Sequence, residues 1–125
     1  MQYIEETNKS VQEIVDAVKT IAPNHKFGVL HVHNPQETLR SKGLEFDNEC
    51  QIIDICNPQI AKQFLDEDMS ISSALPCKIA VYNKEGQTTI VMSSLVQMID
   101  DLNPDLLEIA EEAQERLLQI IDEVK

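Results

Sequence analysis

The segment Cys77–Ser93, CKIAVYNKEGQTTIVMS, gives the clearest indication of the fold class of this chain. It contains two β-rich runs, Cys77–Tyr82 and Thr88–Ser93, and the polar connection between them includes Gly86. A glycine in so short a connection is typical of a β-hairpin, whose two strands are antiparallel neighbours. The segment therefore predicts a sheet that is at least partly antiparallel.

Two Asn-Pro pairs upstream each separate a predicted strand from a short helix. The strand Phe27–His33 precedes Asn34–Pro35, and the strand Cys50–Cys56 precedes Asn57–Pro58. Asparagine is a favoured N-cap residue and proline is favoured at the first helical position. We therefore expect a short helix after each pair, and the first of them should end near Gly43.

The remaining elements lie towards the two ends of the chain. Met1–Glu5 alternates weakly and predicts a short strand. Ser10 and Glu13 form a capping box, which predicts a helix over Val11–Ile21. Near the other end, Asn103–Pro104 predicts the start of the longest helix, of roughly 20 residues.

The last helix has a wide apolar stripe. Its apolar residues recur every four and then three positions, and further apolar residues flank that row. The row and its flanks are Leu106, Ala110, Ala113, Leu117, Ile120 and Val124, with Leu107, Leu118 and Ile121. We expect this helix to pack on the sheet and to leave apolar surface for a partner chain.

This order of elements indicates an α+β fold in one domain over residues 1–125. Long crossover connections are too few for a fully parallel sheet, so we expect a mostly antiparallel sheet. The first and last helices should cover one face of it, and the short helices are small insertions. Alternation along the strand Phe27–His33 puts Leu30 and Val32 on one face. Val29 and His31 lie on the other face, together with the terminal residues Phe27 and His33.

The stretch that contains the motifs Cys-Asn-Pro and Leu-Pro-Cys resembles a known family. Cys56-Asn57-Pro58 is followed by Ile60–Ala61, and a short helix joins it to Leu75-Pro76-Cys77 and a strand. This pattern is similar to the signature of the domain of unknown function 302 family. The similarity extends to FGVL at 27–30, to Thr38–Leu39 and to NPDLLEIAEEAQERL at 103–117, so it covers nearly the whole chain.

The resemblance implies a TBP-like fold, β-α-β4-α with small helical insertions. It also implies an often dimeric, small cytosolic protein of bacteria or archaea, without an established activity. Two positions depart from the family pattern, which usually has small residues where this chain has Asp54 and Ile55. The family also commonly has Asp-Pro where this chain has Ser93–Ser94, so a ligand shared by relatives is expected to be altered here.

Charge and composition restrict the partners. Ten Lys and Arg residues against 22 Asp and Glu give a formal net charge of −12. Such a field repels phosphate backbones and anionic lipids, so we expect no nucleic-acid and no membrane partner. No apolar run is long enough to span a membrane, and the N-terminus lacks a signal-peptide pattern, so we expect a cytoplasmic protein. Three cysteines without CxxC spacing fit a reducing compartment.

Cys56 and Cys77 are the candidate reactive groups, with Asn57, Pro58 and Pro76 beside them. Cys56 comes just before a helix, where free N–H groups can lower a thiol pKa to about 3.5–7.5. Cys77, after Pro76, should react more slowly, and acidic neighbours should disfavour a thiolate at Cys50. Alternation along the strands places the Cys56 and Cys77 sulfurs on opposite faces if Cys77 shares the face of the buried isoleucines. Cysteine is also a common small hydrophobic core residue.

His31 and His33 are weak candidates for metal ligands. They stand two apart on a strand, so both rings should lie on one face. Two ligands do not make a metal site, and further ligands would have to come from Cys56, Asp54 or Glu37. A pair of surface histidines is the simpler explanation of the pattern, so we predict no metal and name no cofactor.

Three functions follow as hypotheses. The first is a non-enzymatic, homodimeric module that binds a small ligand or a protein. The second is a thiol-dependent redox or stress protein that uses Cys56 with Cys77. The third is a metal-dependent enzyme that uses His31 and His33.

Overall fold

A computed structural model describes residues Met1–Lys125 and contains five strands and five α-helices. The strands are β1 (Gln2–Thr7), β2 (Gly28–His33), β3 (Cys50–Cys56), β4 (Cys77–Lys84) and β5 (Gln87–Ser93). The helices are α1 (Val11–Ile21), α2 (Pro35–Ser41), α3 (Pro58–Glu67), α4 (Leu95–Leu102) and α5 (Leu107–Val124). Short 3₁₀ turns lie at Ala22–His25, Met69–Ala74 and Pro104–Leu106.

The five strands form one sheet in the order β1-β5-β4-β3-β2, and every neighbouring pair is antiparallel. The predicted α+β class is therefore confirmed. The β4–β5 hairpin turns at Glu85 and Gly86, whose φ angles of 54° and 82° are both left-handed. A turn with two left-handed residues matches the twist of the flanking strands, which is why Gly86 suits this position.

The predicted helix starts agree with the structure at three of five helices. The side chains of Ser10, Asn34 and Asn57 each accept a hydrogen bond from the first turn of α1, α2 and α3. Asn103 caps the turn at Pro104–Leu106, and α5 itself begins three residues later than predicted. Helix α4 was not predicted, although Ser94 caps it and Gln97 follows three residues later, which is a capping-box spacing.

One face of the sheet packs against helices. The core has 24 buried residues, which come from β3, β4, β5, α1, α3, α4 and α5 and from the connections between them. Ile53, Ile79 and Ile90 point into it from three adjacent strands. We call the other side the open face; it carries Ile4, Ile52, Asp54, Lys78, Ala80 and Val91.

The predicted facing of β2 is wrong at its start. A β-bulge between Val29 and His31 inserts Leu30 as an extra residue, so alternation is interrupted. Val29 and Val32 consequently both pack against the core, whereas Leu30 is 64% exposed. A bulge reverses which face the following residues occupy, and spacing alone does not reveal it.

The apolar stripe of α5 is largely used within the chain. Leu117, Ile120 and Ile121 are buried, and Leu118 is half-buried against the core. Helices α1 and α4 pack alongside α5, which explains the width of the stripe. The expected surplus of apolar surface on this helix is therefore small.

Candidate functional site

The junction between β3 and α3 contains the first motif. Cys56 is the last residue of β3, and Asn57 caps α3, whose first residue is Pro58. The Asn57 side chain is buried, and its Oδ1 accepts hydrogen bonds from the backbone N of Gln59 at 3.0 Å and of Ile60 at 3.1 Å. The free donors of the helix start are therefore bound to Asn57 and do not face the Cys56 sulfur.

The expected acidic thiol at Cys56 is contradicted. Burial raises the pKa of Cys56 above its ordinary value, because a thiolate loses hydration in an apolar setting. Burial also raises the pKa of Cys50, where we expected acidic neighbours to be the cause. All three cysteines are free thiols.

Cys77 begins β4 directly after Pro76, and its backbone pairs with Ile55 of β3. Cys77 lies on the core side, and burial followed by the charge of Cys56 raises its pKa to about 11. Cys56 instead pairs with Gly28, which places it on the opposite face by alternation. The strand register therefore places the Cys56 and Cys77 side chains on opposite faces of the sheet.

The two motifs nevertheless meet. Cys56, Asn57, Pro76 and Cys77 line one narrow apolar cavity of about 10 Å³, together with core residues of β3 and α3. Pro58 is exposed and is not part of it. A space of this size holds at most one water, so the junction itself has no room for a larger ligand.

His31 and His33 lie together on the open face, as predicted. Their ring centroids are 4.4 Å apart and the rings are edge-to-face at 76°. His33 Nε2 donates to Asp54 Oδ2 at 2.8 Å, and Lys78 Nζ donates to Asp54 Oδ1 at 2.6 Å. No group of three or more His, Cys, Asp or Glu side chains is arranged to hold a metal ion, and Glu37 is exposed on α2.

The strongest electrostatic feature of this face is the hydrogen-bonded series formed by Lys78, Asp54 and His33. The hydrogen bond from Lys78 and then that from His33 lower the pKa of Asp54, against the opposing effect of burial. The sequence pattern marks Asp54 as a departure from the family and as a possible metal ligand, but it does not point to Lys78. The signal that pairs them is the β3–β4 register, which puts Asp54 directly opposite Lys78.

A larger cavity lies at the end of the sheet beside Pro76. Its volume is about 390 Å³, and residues of β4, β5, α4 and the Met69–Ala74 turn line it. Leu75, Pro76, Met92, Leu95 and Met98 supply apolar walls, and Gln2, Lys78 and Ser93 supply polar groups. Of the predicted site residues, Pro76 and Cys77 reach this cavity.

Comparisons with known proteins agree on one family. The sequence profile described as "Domain of unknown function DUF302" matches residues 3–124. This chain belongs to the DUF302 family. The DUF302 chain is also similar to the crystal structure of an uncharacterized conserved DUF302 protein from Bacillus stearothermophilus, with 31% identity and a TM-score of 0.94. That similarity covers 99% of this chain and 98% of the other. A comparison with curated proteins found no match.

Both departures from the family pattern have a structural role in this DUF302 chain. Asp54 binds Lys78 and His33, as described above. Ser94 caps α4, and its Oγ donates to Gln114 Oε1 at 3.0 Å. Gln114 Oε1 also accepts from the backbone N of Val96, and Gln114 Nε2 donates to the Tyr3 hydroxyl, each at 3.0 Å. Sequence reasoning missed Gln114, which joins α5 to α4 and β1.

None of the helices in this DUF302 chain has both the length and the apolar character that crossing a membrane requires.

Proposed function

We propose that this DUF302 chain is a non-enzymatic, homodimeric binding module that holds a small, largely apolar ligand at the end of its sheet. The observation that carries the proposal is the cavity of about 390 Å³ beside Pro76. Ligand pockets in proteins are typically about 300–1,000 Å³, mostly apolar, with a few polar groups that orient the ligand. This cavity meets each of those conditions.

The walls of the cavity define the class of ligand. Leu75, Met92 and Met98 offer aliphatic and thioether surface, and methionine adapts its shape to different apolar partners. Lys78 is the cationic group of the lining, but one of its N–H groups already donates to Asp54. A lysine has three donors, so two stay available to a polar group on the ligand. We therefore propose an amphipathic ligand with one hydrogen-bond acceptor.

The state of the thiols favours binding over thiol chemistry. The thiolate is the reactive form of cysteine, and burial raises the pKa of all three cysteines. Near neutral pH each is therefore mostly a neutral thiol. Free thiols also fit a reducing compartment, and we propose that the protein acts in the cytoplasm.

A thiol redox role is the second candidate, because Cys56 and Cys77 line one cavity and the charge of Cys56 affects the pKa of Cys77. Oxidation by one hydroperoxide would join the two sulfurs and release water and the alcohol of the peroxide, with loss of two hydrogens from the protein. The side chains alternate to opposite faces, so such a bond needs backbone movement. Hydrogen peroxide followed by intact mass analysis tests it, through a decrease of about 2 Da that a disulfide reductant reverses.

Titration with 8-anilinonaphthalene-1-sulfonate tests the binding proposal. The chain has no tryptophan, so indole emission does not interfere in the wild type. Ser73 lines the cavity and its neighbour Ser72 does not, although both are exposed on the same turn. We expect saturable binding by the wild type, a loss of affinity of at least about tenfold in Ser73→Trp, and no change in Ser72→Trp.

Circular dichroism must first show that both variants fold. Absence of saturable binding by the folded wild type would refute the proposed ligand site. Equal binding by the two folded variants would do the same, because the probe would then be elsewhere on the surface.

A further inference from the structure

We propose that a second copy of this chain docks on the open face of the sheet. The inference deepens the proposed homodimer by assigning its interface, and it rests on that part of the proposed function.

An apolar row crosses the open face. Ile4 of β1 pairs with Val91 of β5, Val91 pairs with Ala80 of β4, and Ala80 pairs with Ile52 of β3. These four side chains therefore stand side by side across four strands. Ile4 is 59% exposed, the other three are half-buried, and none belongs to the core cluster. A contiguous, partly exposed apolar row of this kind is typical of an interaction site.

The charge of the open face selects a second copy as the occupant. By strand alternation its charged side chains are Lys78 and Lys84 and the carboxylates Glu6 and Asp54, so its formal charge is zero. The whole chain carries −12, so the excess negative charge lies elsewhere. An interface between identical copies places the same patch on both sides, so a patch with net charge repels itself.

The helical side of the molecule is an example of a surface whose net charge would repel an identical copy. Helix α5 carries six carboxylates, Glu108, Glu111, Glu112, Glu115, Asp122 and Glu123, against one cation, Arg116. Two copies that met through α5 would bring these carboxylates together. The open face has no such excess, and it presents both signs of charge to a partner.

The size of the face is sufficient for a weak specific dimer. Five strands about 4.8 Å apart, each about 20 Å long, cover about 24 by 20 Å, or about 480 Å². Two copies would bury about 960 Å² in total, just below the roughly 1,000 Å² that a stable specific interface clears, so this interface is a weak one. We therefore expect a dimer that dissociates in the micromolar range rather than an obligate one.

The same face forms part of the ligand cavity. Ile52, Lys78, Ala80 and Val91 line that cavity as well as the open face. A second copy on this face would cover the opening of the cavity, so the occupied cavity should be closed by residues of the partner copy.

Sedimentation velocity over 1–300 µM protein tests the inference with two face variants and one matched control. Ile4→Glu alters the apolar row without touching the cavity lining, and Ala80→Glu alters its centre. Leu102→Glu removes a comparably exposed residue, at 51% exposure, from α4 on the other side of the sheet. We expect the dimer dissociation constant to rise at least about tenfold in both face variants and to stay within about twofold in the control.

Circular dichroism and urea unfolding check that each variant is folded. Of the two face variants, Ile4→Glu should disturb the fold less than Ala80→Glu, because Ile4 lies on an exposed edge strand. A wild-type dimer that survives both substitutions would overturn the assigned interface and leave the proposed homodimer intact. A wild type that stays monomeric throughout would overturn both, whereas the probe titration would still report on the ligand cavity independently.

Discussion

His33 and Asp54 are joined by a hydrogen bond of 2.8 Å between Nε2 and Oδ2 on the open face of the sheet. The Asp54 side chain is only 13% exposed, and His33 and Lys78 each donate a hydrogen bond to one of its two oxygens. Asp54 is thus a nearly buried carboxylate bound by two partly exposed partners. Such a carboxylate stabilises the fold only while it is ionised.

Replacement of Asp54 by Asn should destabilise the protein by about 1–2 kcal/mol at pH 7, because both charge-assisted hydrogen bonds weaken. The pKa of Asp54 is lowered in the folded state, so its contribution is complete above the ordinary aspartate pKa of about 3.9 and is lost as the pH falls through the lower folded value. The difference between wild type and variant should therefore shrink below about pH 4. Urea unfolding at pH 7, 4 and 3 measures it.

Asp66→Asn is the matched control, since Asp66 pairs with Lys62 on an exposed helix surface. Its effect at pH 7 should be below about 0.5 kcal/mol. A difference between wild type and Asp54→Asn that is equally large at pH 7 and pH 3 would show that ionisation of Asp54 is not the cause.

The cysteines should differ in their rates of alkylation. With a pKa of about 11, Cys77 is a thiolate to about one part in a thousand at pH 8, so it should react more slowly than Cys56 and Cys50. Burial also raises the pKa of Cys56, so its rate should still climb above pH 8 rather than reach a plateau near pH 7. Iodoacetamide rates against pH, with peptide mass mapping in wild type, Cys56→Ser and Cys77→Ser, measure each site.

Urea-unfolded protein serves as the reference, in which all three sites should react at similar rates. A plateau for Cys56 near pH 7 in the folded protein would indicate an activated thiol and would favour the redox candidate.

Loss of the Asn57 cap should cost more than loss of the Asn34 cap, although both residues precede a proline. Asn57 is buried and satisfies two backbone N–H groups, whereas the Asn34 side chain satisfies one at a more exposed helix. We expect about 1–2 kcal/mol for Asn57→Ala and about 0.5–1 kcal/mol for Asn34→Ala. Urea denaturation at pH 7 compares them, and equal losses would show that burial of the cap does not matter here.

Gln114 should prove important for docking α5 onto α4 and β1. Gln114→Leu leaves the Val96 N–H and the Ser94 hydroxyl without their acceptor, which should cost about 1–3 kcal/mol. Gln114→Glu keeps an acceptor at the same place, and the Tyr3 hydroxyl can donate to it, so most of the stability should return. Thermal and urea unfolding of both variants test this, with exposed Gln119→Leu as the control. No difference between the Leu and Glu variants would rule out a hydrogen-bonding role.

Most of the local structure could be predicted from the sequence. The capping box at Ser10, the two Asn-Pro starts and the turn at Gly86 depend on groups only two to four residues apart, so their spacing in the chain fixes their geometry. The order of elements follows from the same local signals, and the family resemblance agrees with it. Helix α4, which was not predicted, carries the same kind of local signal, because Ser94 caps it and Gln97 follows three residues later.

The candidate site was only partly predictable. The sequence pattern indicates Cys56 and Cys77 as candidate reactive groups, but their meeting at one cavity depends on the tertiary structure. The expected acidity of Cys56 is wrong, because the Asn57 side chain occupies the helix donors and the site is buried. The pairing of His31 with His33 was predicted from spacing. Their link to Lys78 through Asp54 was not, because it depends on which residues of β3 and β4 lie opposite each other.

Local signals in the sequence indicate the starts of α1, α2 and α3, the hairpin and a mostly antiparallel α+β class, because short-range hydrogen bonds and backbone preferences govern these features. The bulge in β2, the neutral open face and the cavity beside Pro76 arise from the tertiary structure. These features depend on strand register and on side-chain packing between segments far apart in the chain. Many combinations of register and packing are compatible with the same local pattern, and the free energy of the whole fold selects one of them.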